Sequence, residues 1–207
     1  LKLIKILVVN LVFVFLFSSC SNLEQAYKTF NNLKALQFKL KEVNNFNLSN
    51  VLISNKRTIS DFSLKDGLLL GNAYKNNQLP ASFDLIVSVQ NPNSVNNTNN
   101  TESLPITLTN LEWDLYLENK KTISGIFSKS ITIANNDTEE IPININLDLM
   151  RFYNDKSYEQ IINLVLNLGG VGNKPTLLKL DAKPTFKTKL GNIPYPGRIN
   201  IIDQEYR

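Results

Sequence analysis

From residue 141 to residue 149 the chain reads Ile-Pro-Ile-Asn-Ile-Asn-Leu-Asp-Leu, an unbroken alternation of apolar and polar side chains. Successive residues of a β-strand point to opposite faces, so this pattern suits a strand with one buried and one wet side and cannot present one face as a helix. The same period runs through residues 82–90, where Phe83, Leu85, Val87 and Val89 share a face before Asn91-Pro92-Asn93 halts the strand. It returns in 37–43, in 46–53 with Asn44-Asn45 as a break or bulge, and in 104–118 with a shift at Asn110-Leu111. Shorter candidates lie at 123–127 and 130–134, at 178–190 around Pro184, and at 198–202 after a turn at 191–197. Many short strands with few helices predict a mainly β fold, an immunoglobulin- or fibronectin-III-like antiparallel β-sandwich.

Two stretches change period. Residues 63–76 are rich in Leu and Ala and predict a short helix weakened by Gly67 and Gly71. From Asp155, Tyr158, Ile161, Ile162, Val165 and Leu168 recur every three or four residues until Gly169-Gly170, which predicts an amphipathic helix. These helices either cap the open end of the core or wall a pocket for an apolar ligand. Residues 93–103 are polar and low in complexity, the signature of an exposed loop.

Residues 1–20 read LKLIKILVVNLVFVFLFSSC. Lys2 and Lys5 precede an apolar run from Ile6 to Phe17, broken only by Asn10, and Ser18-Ser19 leads to Cys20. A basic front, an apolar centre and a small-residue exit are the grammar of a signal peptide. The run is about 12 residues, short of the roughly 20 that cross a bilayer as a helix. The tail Leu16-Phe17-Ser18-Ser19-Cys20 resembles a bacterial lipobox, which implies cleavage before Cys20 and lipid, such as palmitate, on that residue. Phe17 stands where the usual residue is aliphatic. The expected organisation is a signal peptide at 1–19, a lipidated tether at 20–35, the sandwich at 36–202 and a short tail at 203–207. With no Asp directly after Cys20, the resemblance implies a lipoprotein of the outer membrane, facing the periplasm or the outside.

Composition narrows the chemistry. The 207 residues include no His and one Cys, which rules out His-based triads, Cys-His pairs and an internal disulfide. The formal charge is +4; without Lys2 and Lys5 it is about +2, too small for a nucleic-acid footprint. Asp84, Asp114, Glu139 and Glu140 are the acids nearest to candidate catalysts, but the first two fall on outward strand positions and the others beside a turn. Acid–base pairs need a cleft and a set separation. No phosphate-cradling loop occurs, and Gly169-Gly170-Val171-Gly172 follows a helix, the wrong context for a dinucleotide site. The expectation is a protein without catalytic activity, cofactor or metal, whose partners are the membrane and an unidentified lipid or protein.

Together, the strand ending in Asn91-Pro92-Asn93, the strand holding Leu111, Trp113, Leu115 and Tyr116, the turn at 117–120, Ile123-Ser124-Gly125 and the strand after Glu139-Glu140 resemble the LEA14-like family. That family is group 2 of the late-embryogenesis-abundant proteins, also called the water stress and hypersensitive response domain. The likeness spans residues 36–202, and Lys183-Pro184-Thr185 with Gly191-Asn192-Ile193-Pro194 is similar to its bacterial lipoprotein members. It implies a β-sandwich with no established catalytic site and a link to desiccation or other stress. Asn91-Pro92-Asn93 equally suits a plain strand terminator, and Trp113 a core position.

Overall fold

The computed structural model describes residues 20–93, 105–169 and 177–202. The longest alternation becomes β7 (Asp137–Asp148), with Ile141, Ile143 and Ile145 almost wholly buried. Its partner β3 (Pro80–Asn91) runs antiparallel beside it in unbroken register from Pro80↔Asp148 to Asn91↔Asp137. On the other side of β3 lies β1 (Gln37–Leu48), which continues into the short β2 (Val51–Leu52), giving the order β2-β1-β3-β7. The second sheet is built on β4 (Ile106–Leu117) and β8 (Leu178–Thr188). It carries β5 (Lys120–Phe127) and β10 (Ile199–Ile202) at its edges, in the order β10-β8-β4-β5. Two further strands, β6 (Ile131–Ile133) and β9 (Gly191–Pro194), pair with β4 and β8. Every pairing is antiparallel. The result is the expected mainly β sandwich, with strand order close to the two-sheet immunoglobulin arrangement.

The two sheets close on one continuous core. Leu85, Val87 and Val89 of β3 face it from one layer, and Leu108, Leu111, Leu115 and Leu117 of β4 from the other, all with no exposed surface. Each such side chain contributes roughly 1.5–3 kcal/mol when removed from water. Trp113 lies inward as expected of a core aromatic, 7% exposed, and stands opposite Gly125 of β5 in the register. A Cβ built on Gly125 would lie 2.2 Å from the indole ring, so glycine is required there by the ring itself.

Several boundaries differ from the sequence reading. Residues 37–48 form one strand rather than two, because the register slips at Leu40/Glu42 and at Asn44/Asn47. Each slip adds one residue and shifts the alternation, so Val43, between the slips, packs against the core along with Leu40, Phe46 and Leu48 on either side of it. Asn45 takes the left-handed conformation there, φ 54°. The shift expected in 104–118 is likewise a bulge within the single strand β4, between Leu108 and Asn110 in its pairing with β8. Residues 191–194, expected as a turn, form β9 instead. Pro184 fits inside β8 because its carbonyl accepts from Tyr195 N–H at the corner where β9 gives way to β10, so the absent donor falls where the ladder is interrupted. Pro142 is tolerated because β7 is an edge strand.

Among the described residues, four helices frame the sandwich. The first, α1 (Cys20–Lys34), precedes β1. The others gather where β1 and β4 end: α2 (Leu64–Lys75), the single turn α3 (Met150–Tyr153) and α4 (Tyr158–Leu168). The helix expected from Asp155 therefore begins at Tyr158, since Ser157 caps it reciprocally with Gln160. Ile161, Ile162, Leu164, Val165, Leu166 and Leu168 of α4 all join the core, which makes α4 a cap on the sandwich. By contrast α2 buries only Leu70 and leaves Leu64 and Leu68 largely exposed. Its start is fixed by polar contacts: Ser63 and Asp66 form a capping box, and Lys56 pairs with Asp66 at 2.8 Å.

Two outcomes follow. Gly125→Ala should destabilise the domain by about 1–3 kcal/mol, the cost of overpacking, with a shifted emission from the only tryptophan; urea unfolding followed by fluorescence measures both. The Lys56 hydrogen bond, then those from Ser63, hold the Asp66 carboxyl down to about 2, against 3.8 for a free aspartate. A lowered folded value means that the stabilisation is present above 3.8 and is lost as pH falls towards 2. Amide exchange of α2 should therefore accelerate across that acid window before the β-core opens.

Candidate functional site

Cys20 is the first residue of α1, and Leu16, Phe17, Ser18 and Ser19 lie outside the described residues, as does the polar stretch 94–104. What the structure adds is how α1 joins the domain. Its last turn carries Leu33, 1% exposed, and the chain leaves it through Leu36, 6% exposed, so both are core residues. Tyr27, farther from the junction, is 68% exposed. The region expected as a partly helical tether is a 15-residue helix whose final turn belongs to the sandwich.

The junction is held by the two asparagines of the 91–93 motif. Asn91 ends β3 and has no exposed surface, an unusual place for an amide, and both polar atoms of its side chain are hydrogen-bonded. Its amide donates to the Ile133 carbonyl on β6 at 3.4 Å. Its carbonyl oxygen accepts from the Asn93 backbone N–H at 3.2 Å and from the Asn93 side chain at 2.8 Å. The Asn93 amide also donates to the Asn32 carbonyl in α1 at 3.0 Å. Pro92 between them needs no donor partner, having no N–H. The motif is therefore more than a strand stop, since it ties β3, β6 and α1 together.

Beside this junction, between α1 and the adjoining ends of β4 and β8, runs a groove of about 400 Å³. Leu33, Pro105 and Ile106 form its apolar part, and Lys187 and Lys189 stand at its rim. Asn32 and Leu33 were not singled out from the sequence, because one Leu-x-x-Leu step at the end of a polar segment is too short to show which face is covered.

The carboxylates considered for acid–base chemistry do not converge. Asp84 sits on the outer face of its sheet, where it accepts from the side chains of Asn45, at 2.7 Å, and Asn144. Asp114 lies on the outer face of the opposite sheet, bonded to Ser124 and within 2.9 Å of both Lys121 and Arg198. The Ser124 hydroxyl, followed by these two cations, holds its carboxyl below the usual range. Glu140 is paired with Lys41, and Glu139 faces Val89 across the ladder. Asp84 and Asp114 therefore have the whole sandwich between them. Among the described residues, no three of Cys, Asp and Glu gather as a metal-ligand set, and no helix is long and apolar enough to cross a membrane.

No family model and no curated protein matches the chain. Among solved structures it is similar to a candidate late embryogenesis abundant (LEA) protein, 15% identical over 92% of this chain and 84% of the other, with a TM-score of 0.36. A protein from Arabidopsis thaliana is 16% identical over 63% and 73%, with a TM-score of 0.36. A protein from Archaeoglobus fulgidus is 11% identical over 61% and 87%, with a TM-score of 0.30. At these identities and TM-scores no individual residue carries over.

The clamp has a direct test. Asn93→Ala should leave the unfolding midpoint close to that of the parent, because the lost bonds are at the surface of the junction. It should, however, speed hydrogen exchange in residues 26–34. Asn91→Ala removes a buried amide and strands the Ile133 carbonyl, and should cost about 1–3 kcal/mol. Equal exchange in α1 of the Asn93 variant and its parent would show that the helix is held without the Asn93 bond.

Proposed function

We propose that this chain is a non-catalytic, lipid-anchored domain of the bacterial cell envelope, a LEA14-like interaction or stress-protective module held at the outer membrane through Cys20. The observation that carries the reading is the position of the only cysteine, which closes a lipobox-like sequence and is joined through α1 to the sandwich. At 1.5 Å per residue, α1 would set Cys20 roughly 20 Å from the clamp. A lipid on Cys20 would then hold the sandwich on a helical spacer. One acyl chain gives marginal membrane binding, and two or more give a lasting anchor. The stress-related part rests on the family resemblance of residues 36–202.

A second reading, an apolar-ligand or lipid-binding module, is favoured by the groove beside α1, with its apolar floor and its lysines at the rim. It differs from the pocket expected against the helix near residue 158, whose apolar side chains are spent on the core.

Cys20→Ser, expressed in a bacterium fed labelled palmitate, should lose the label and move from the membrane to the soluble fraction, with an unchanged unfolding midpoint. Label retained on the serine variant overturns the anchor. Native mass spectrometry of the parent after gentle extraction addresses the second reading, which predicts a co-purifying lipid beyond the covalent one.

A further inference from the structure

On the outer face of the first sheet, Asn47 of β1, Ser82 of β3 and Asn146 of β7 are direct cross-strand neighbours. They form one polar row across three strands. At the end of the row lies a cleft of about 440 Å³, bounded by the β1–β2 turn on one side and by Asp148 and Arg151 on the other. That volume is within the ordinary range for small-ligand sites. It lies on the opposite side of the sheet from the core, at the end away from the 91–93 clamp.

The turn is the informative part. Ser49 and Asn50 both have positive φ, 48° and 67°, the two-residue hairpin geometry for which Asn-Gly is the favoured pair. Serine in the left-handed region is strained, with only a weak local hydrogen bond to offer in return. Here it does not make even that bond. The Ser49 residue is 9% exposed, and its hydroxyl oxygen is buried without a hydrogen-bond partner on the border of the cleft. The Ser49 backbone N–H donates to the Pro80 carbonyl at 2.7 Å, but its hydroxyl gains nothing for the fold, and strained positions with unsatisfied groups concentrate at sites of function.

We infer that this cleft is a carbohydrate-binding site, in which Ser49, the Asn47–Ser82–Asn146 row, Asp148 and Arg151 take the hydroxyl groups of a neutral saccharide. The chemical argument is the mixture of donors and acceptors. Arg151 donates only; ionised Asp148 accepts only; the asparagine amides and serine hydroxyls do both. One oxygen of Asp148 already accepts from the backbone N–H groups of Leu79, at 2.8 Å, and Met150, at 3.0 Å, which fixes the carboxylate at the cleft wall. A free anion would meet that carboxylate and be repelled. A cation would meet Arg151. A sugar hydroxyl both donates and accepts, so it can bond to each type at once. The inference does not depend on lipid at Cys20.

The test is NMR titration of the whole soluble domain carrying Cys20→Ser, with maltotriose and N,N′-diacetylchitobiose as probes and sodium phosphate as the anionic control. At least one saccharide, at millimolar concentration, should shift the side-chain amide signals of Asn47 and Asn146 together with the Ser49 backbone amide. Ser49→Gly suits the positive φ and keeps the turn while removing the hydroxyl. It should bind at least about tenfold more weakly while the protein remains folded, and Arg151→Ala should do the same. Unshifted signals with both saccharides overturn the inference. So does binding that Ser49→Gly leaves intact, and so does a response to phosphate that exceeds the response to sugar.

Discussion

Two sheets that each have one apolar face can be stable only face to face, and everything else in this molecule is subordinate to that contact. No disulfide within the chain supplements it, because there is one cysteine. The constraint acts on every strand as a rule of parity: a residue gained or lost turns the next apolar side chain towards water. In β1 the apolar positions Leu40, Val43 and Phe46 do not share one parity, and the two register slips are what bring all three to the core side. Phe46 then meets Phe83 of β3, ring centroids 5.1 Å apart. The same contact explains Gly125, where the width of the Trp113 ring leaves no room for a side chain on the neighbouring strand.

A sandwich has two open ends, and this one closes them by different means. At one end α4 contributes six apolar side chains to the core, while Tyr153 of α3 donates to the Leu117 carbonyl at 2.8 Å and so latches the cap onto the β4–β5 hairpin. Burial there raises the Tyr153 hydroxyl to about 12, so it remains a donor through the neutral range. At the other end Leu33 and Leu36 enter the core beside a polar clamp, in which the wholly buried Asn91 bonds to Ile133 of β6 and to Asn93, and Asn93 reaches α1. Apolar packing is indifferent to small rotations, whereas a bonded amide fixes direction. It is the polar end that carries α1.

How much of this was readable in the sequence depended on how local the cause was. The centres of β3 and β7 were legible, because Phe83 to Val89 and Ile141 to Leu147 encode their own faces, whereas residues 137–140, which follow turn-forming asparagines, were not. Gly191-Asn192-Ile193-Pro194 was not, since one apolar residue between two turn formers shows no period, and its strand character comes from Thr185, Phe186 and Thr188 across the ladder. The end of α1 was hidden for a similar reason: Leu33 is buried by strands that come later in the chain. Asn91-Pro92-Asn93 could be picked out as a motif but not interpreted, because Asn32 and Ile133, which give it meaning, are far from it in sequence. The row Asn47–Ser82–Asn146 exists only once the register of three strands is set.

That row and its cleft differ in kind from the polar groups elsewhere on the sheet. On the same face Asp84 is saturated by Asn45 and Asn144, and Lys41 by Glu140, so those side chains satisfy one another. Surface contacts of this sort are worth little to stability and need no further explanation. Ser49 is the reverse, because the molecule bears both a left-handed serine and an unsatisfied buried hydroxyl at one residue, where glycine would avoid both. A fold selected for stability alone has no reason to keep that arrangement. A fold that must also present a hydroxyl to a ligand does, and the fixed carboxylate of Asp148 and the cation of Arg151 across the cleft determine which ligand chemistry can answer it.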